Sequence, residues 1–204
     1  MTRALTMNAP IFCLGVDPGR EAGVALVELR PTPGKAPYPV LLGAWGVYGT
    51  NDKLWWSRAR AAAEEASASL GEAVPKIAFL EQIPVTFKSG SIPGVRRGHA
   101  AWAGLGKRWG AWQATLFAAG WEVRSIEQKV WVETCKVAAS KEKAGGPEGR
   151  GREASALIAG ARAALDKIGA GKLKGDVAES MLIGLAGACM LRRELDESRP
   201  SATR

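Results

Sequence analysis

The chain has 204 residues, 47% hydrophobic and 24% charged, a size and balance that predict one globular domain with a core of its own. No apolar run is long enough to span a bilayer, and the N-terminus lacks the apolar stretch of a signal peptide, so a cytoplasmic location is expected. The three cysteines, Cys13, Cys135 and Cys189, form no CxxC pair, which argues against a disulfide framework or a thiolate zinc site, and the single His99 excludes a multi-histidine metal site.

Residues 1–9 read as a disordered tail. Ile11 to Val16 is a short apolar run closed by Asp17-Pro18-Gly19, a turn signal. Gly23 to Leu29 reads as a second strand, Pro31, Pro33 and Pro37 mark a loop, and Val40 to Tyr48 reads as a third strand. Three strands in series with short links predict an antiparallel meander. Residues 53–72, rich in Ala, Glu and Arg, predict a helix, and Lys76 to Gln82 a buried strand, so the pattern has switched to a parallel crossover. A Pro/Gly loop over 84–97 leads to a helix from His99 to Ala119, a short strand from Glu122 to Ser125 and a short helix from Lys129 to Val137. Residues 140–152 read as a mobile basic linker. Glu153 to Ile168 and Val177 to Leu195 read as the last two helices, and 197–204 as a second tail. One domain over 10–196 is expected, an α/β fold with a mixed sheet and helices on its faces.

Four acids stand out by position. Asp17 and Glu81 each end an apolar strand, and Asp176 and Glu179 open the last helix on one face, three residues apart. A carboxylate at the end of a buried strand is costly unless paired, hydrogen-bonded or bound to a cation. Mg²⁺ takes carboxylate oxygens, and two such ions can clamp the attacking and leaving oxygens of an in-line phosphate displacement. The plain alternative for Asp176 and Glu179 is a helix cap with its capping-box partner.

The net charge is +8, which favours a polyanionic partner, nucleic acid above all. Between Glu81 and Glu122 there is no acid, while Lys88, Arg96, Arg97, Lys107 and Arg108 fall there, interleaved with Phe87, Trp102, Trp109 and Trp112. Two readings stand: a solvated basic face beside core tryptophans, or a rim that binds phosphates. The acids on either side favour the rim.

Gly15-Val16-Asp17-Pro18-Gly19, followed by a Gly-containing strand from Ala22 to Glu28, resembles the first motif of the RuvC family. Phe79-Leu80-Glu81-Gln82 resembles its second, and Asp176-Val177-Ala178-Glu179 with the Ala/Gly-rich helix after it resembles its third. The resemblance runs from residue 11 to about 190. It implies a ribonuclease H-like fold: a mixed five-stranded sheet, the first three strands antiparallel, helices on both faces. It also implies a metal-dependent endonuclease that resolves Holliday junctions by paired symmetric nicks, with two Mg²⁺ per site (Mn²⁺ as a substitute) on Asp17, Glu81, Asp176 and Glu179. Phe87 matches the family's aromatic wedge, Lys129 its DNA-binding lysine, and Lys141 or Lys143 a second one. Lys88, Arg96, Arg97, Lys107 and Arg108 complete the expected DNA-binding set. The expected partners are branched DNA and a second copy of the chain, packed through the helix from His99 to Ala119, with Trp102, Trp109 and Trp112 as candidates to fill the interface. Glu179 departs from the family, whose bacterial members commonly carry Asp or His there, and 145–152 reads as an insertion of a divergent, phage-type branch. The alternatives are a nuclease for other branched DNA or RNA–DNA hybrids, a non-catalytic junction-binding protein, and an actin-like ATP-binding protein, for whose two similar domains the chain is too short.

Overall fold

The computed structural model describes residues 10–19, 21–32, 35–49, 51–72, 74–82, 99–139 and 175–198. Their elements are β1 (Ile11–Asp17), β2 (Ala22–Thr32), β3 (Lys35–Val47), α1 (Asp52–Ala68), β4 (Ile77–Glu81), α2 (His99–Ala118), β5 (Glu122–Ile126), α3 (Gln128–Ala139) and α4 (Gly175–Glu197). The tail at 1–9, the linker over 140–152, the helix expected over 153–168 and the chain beyond Ser198 lie outside the described residues.

The five strands form one sheet in the order β3-β2-β1-β4-β5. β1 pairs antiparallel with β2, and β2 with β3. β1 pairs parallel with β4, and β4 with β5. This is the expected mixed sheet, with its first three strands antiparallel. β2 and β3 run longer than expected, because the chain stays extended through Pro31 and Pro37. Both prolines sit where a ladder tolerates a missing N–H. Pro31 lies past the last β1–β2 pair, Ile11↔Leu29, and Pro37 lies on an edge strand.

Strand alternation sorts the apolar residues into two cores. Ile11 and Cys13 of β1 and Ile77 and Phe79 of β4 face α3 and α4. Leu14 and Val16 of β1 and Ala78 and Leu80 of β4 face α1 and α2. Of the tryptophans expected at a dimer interface, two pack in the α1/α2-side core instead. Trp112 is fully buried, with its ring centroid 5.7 Å from that of Trp55. Trp109 is half-buried against the same core, and the Trp102 side chain lies outside the described residues. Cys13 and Cys135 are buried, and Cys189 is half-buried. Burial pushes the thiol pKa of Cys13 far up and that of Cys135 to about 12, as for inert core thiols. Among the described residues no helix is long and apolar enough to cross a membrane.

Candidate active site

The period of two along each strand fixes the face on which each acid lies. Asp17 is two and four residues beyond Gly15 and Cys13, and Glu81 is two and four beyond Phe79 and Ile77, so both belong to the α3/α4 side. The parallel register Val16↔Leu80 sets them beside one another at the C-terminal ends of adjacent strands. α4 crosses the same face and brings Asp176 and Glu179 in its first turns.

α4 approaches this closely because Gly15 and Gly23 place no side chains under its first turns. A Cβ at Gly15 would run into the Ser180 carbonyl and the Gly184 amide, and one at Gly23 into the Asp176 carbonyl. Gly23 is the register partner of Asp17, so the first turn of α4 rests on backbone next to that carboxylate. Ser180, fully buried, links the two. Its hydroxyl accepts from the Asp17 amide at 3.2 Å and donates to the Asp176 carbonyl at 2.7 Å. The helix begins at Gly175, which puts Asp176 inside the first turn and not at the cap position.

Asp17 is 9% exposed. Burial, and then the charges of Glu81, Glu179 and Asp176, push its pKa up to about 8, against the pull of the hydrogen bond it accepts from the Gly19 amide. The charges of the three other acids therefore all reach the Asp17 carboxyl. Burial also raises Glu81, opposed by the Trp131 indole, whose Nε1 donates to Glu81 Oε1 at 3.0 Å. From the other face of the sheet, Trp109 Nε1 donates to the Glu81 carbonyl at 3.0 Å. Among the described residues no three His, Cys, Asp or Glu side chains are already closed around a point that would hold a metal ion. The donor set is nevertheless the all-oxygen, strongly anionic one that a hard divalent cation takes, and the mutual repulsion at Asp17 is what such a cation relieves.

The expected DNA contacts divide. Lys129 is exposed in the first turn of α3, three residues after Ile126, the register partner of Glu81. Lys107 and Arg108 lie on α2 next to Trp109, which reaches Glu81. Lys107 Nζ is already engaged, donating to Asp52 at 2.6 Å at the start of α1. Phe87, Lys88, Arg96, Arg97, Lys141 and Lys143 lie outside the described residues.

Sequence reasoning missed Ser180 and the two tryptophans that hold Glu81. A hydroxyl four residues after Asp176 on a helix was a readable signal, since Ser in that setting bonds the carbonyl one turn back. No local pattern marks Trp131.

No protein-family model matches the sequence, and no curated protein does. Solved structures do. The chain is similar to a Thermus thermophilus RuvC structure at 18% identity and a TM-score of 0.57, over 91% of this chain and 98% of that one. It is similar at the same identity and TM-score to T. thermophilus RuvC in complex with a Holliday junction substrate, over 91% of this chain and 97% of that one. With the strand order and the helix placement, this likeness shows that the chain has the RuvC-type, ribonuclease H-like fold.

Proposed function

We propose that the protein is a metal-dependent, structure-selective endonuclease that cuts branched DNA, with the Holliday junction as its preferred substrate. The observation that carries this reading is the placement of Asp17 and Glu81 at adjacent strand ends under the first turns of α4, from which Asp176 and Glu179 act, with Glu81, on the buried Asp17 carboxyl. The solved neighbour that holds a Holliday junction supports the choice of substrate. Asp17 and Glu81 from the sheet and Asp176 and Glu179 from α4 would hold the divalent cations, Mg²⁺ or Mn²⁺. Two such cations, when bound, supply charge neutralisation and Lewis-acid activation for phosphodiester hydrolysis.

The remaining roles belong to the chain's own groups. Ser180 keeps the β1 terminus and the first turn of α4 in register. Lys129, three residues past the register partner of Glu81, and Arg108, beside Trp109 on α2, hold flanking phosphates, together with Lys107 once it exchanges Asp52 for DNA. Phe87, Lys88, Arg96, Arg97, Lys141 and Lys143 extend this surface in the same reading. The protein acts as a homodimer, since two symmetric nicks need a two-fold axis. α2 offers the face for it: Ala103, Gly106, Gly110, Ala114 and Phe117 are exposed at helical spacing, and Phe117 is 79% exposed.

Incubation with labelled four-way, three-way and linear duplex DNA and an RNA–DNA hybrid, with and without Mg²⁺, tests the proposal. Paired nicks in the four-way junction that require Mg²⁺ are expected. Junction binding without cleavage at any Mg²⁺ or Mn²⁺ concentration would show a binding protein instead, and preferred cleavage of the hybrid would move the substrate class.

A further inference from the structure

Glu81 is held at both its backbone and its carboxylate. Its carbonyl accepts from Trp109 on one side of the sheet, and the following amide, that of Gln82, donates to Ile126 of β5 at 2.7 Å. Its carboxylate is held from the other side, where Trp131 Nε1 meets Oε1 at 3.0 Å. The Trp131 ring is fully buried among Ile77, Phe79 and α4 residues. Its backbone amide is bonded to the Glu127 carbonyl in the turn that opens α3. A ring packed on all sides has little freedom, and an indole N–H can only donate. The side chain of a strand-end glutamate otherwise samples several rotamers, each a different position for its oxygens.

We propose that Trp131 is the positioning residue of Glu81: by holding Oε1 it fixes the carboxylate so that Oε2 is presented to the divalent cation before the cation arrives. The inference rests on the metal-dependent reading above. Groups that orient a metal ligand from behind restrict its geometry, and losing one costs about 10–100-fold in metal affinity or activity. Held in this way, Glu81 serves as a fixed ligand for the cation.

The test measures Mn²⁺ binding to the full-length protein by calorimetry, with cleavage as a second readout, for the parent, Trp131→Phe and Trp112→Phe. Trp131→Phe removes the donor and keeps a ring. Trp112→Phe makes the same change at a fully buried indole whose N–H has no partner among the described residues. Trp131→Phe is expected to bind Mn²⁺ about 10-fold more weakly or worse. It needs correspondingly more Mn²⁺ for half-maximal cleavage and regains the parental rate at saturation. Trp112→Phe is expected to lose melting temperature and keep the parental affinity. Unchanged affinity in Trp131→Phe overturns the proposal, as does equal weakening in Trp112→Phe. Should Trp131→Phe fail to fold, 3-benzothienylalanine at position 131 removes the N–H and keeps the bicyclic shape, with the same result expected and the same result overturning it. A parent that binds no Mn²⁺ overturns the metal-dependent reading and this inference together, whereas a parent that binds alongside an unchanged Trp131→Phe overturns this inference alone.

Discussion

Asp17 is a carboxyl whose surroundings favour its neutral form. With a pKa of about 8 when folded and about 4 when unfolded, it binds more protons in the native state between those values. Its contribution to stability therefore falls as pH rises from about 4 towards about 8. Asp17→Asn removes that loss. In chelator at pH 8 the variant is expected to melt higher than the parent by about 5 °C or more, and the gap should close as pH falls towards 4. In Mg²⁺ the same variant is expected to have lost cleavage and to have kept junction binding, because carboxylates serve the cations and Lys and Arg the phosphates. A melting curve at two pH values and a gel-shift assay check both. Ser180→Ala leaves the Asp17 amide and the Asp176 carbonyl without their shared hydroxyl. The Asp176 carbonyl keeps its helical partner, but an unsatisfied buried amide such as that of Asp17 costs about 1–3 kcal/mol, so a clear drop in denaturant midpoint is expected, with slower cleavage.

At the scale of elements, the site is a helix laid on bare backbone. Gly23→Ala places a methyl group against the Asp176 carbonyl, and a helix cannot yield there as a flexible side chain would. Overpacking costs about 1–3 kcal/mol, and a displacement of about 1 Å at reacting groups can cost about 100-fold in rate. Cleavage by Gly23→Ala is expected to fall about 100-fold while junction binding holds, as single-turnover rates beside binding isotherms will show. The positions of Asp17 and Glu81 were legible in the sequence because strands announce themselves by apolar runs, and an acid ending such a run conflicts with its neighbours. The sheet face of Asp17 and Glu81 was not read from the sequence, because the period of two fixes a face only once the packed side of the strand is known. Trp131 was not legible, because its partner, Glu81, lies 50 residues away and a buried Trp on an amphipathic helix looks like any core residue. The length of β2 and β3 was misread for a related reason: prolines break a central strand, but whether a strand is central depends on its neighbours.

For the whole molecule, the excess positive charge means that DNA binding under the proposed function depends on salt. The C-terminal ends of β1, β3, β4 and β5 lie along one edge of the sheet, and the first turns of α1 and α3 open there. Lys129 and Arg108 belong to that region. Removing one cation that neutralises a phosphate reduces the slope of log affinity against log salt by about 1, so Arg108→Ala with Lys129→Ala is expected to lower it by about 2 for every DNA form. Binding isotherms at several salt concentrations measure this. An unchanged slope would show that these side chains face away from DNA. Net charge was readable as a partner class, but not as a surface, because which cations share an edge is decided by strand order.

The bond from the Asp17 amide to Ser180 joins residues 163 apart in the chain. A ribosome adds roughly 5–20 residues per second, so on the order of ten seconds or more separate the synthesis of the two. For nearly all of that interval, until Asp176 is added four residues before Ser180, the nascent chain holds Asp17, then Glu81, but neither acid of α4, and the sheet face beneath α4 is uncovered. Activity in the proposed site therefore arrives only with the last described helix, and a polypeptide cut short before it carries half the carboxylates and no finished cutting tool.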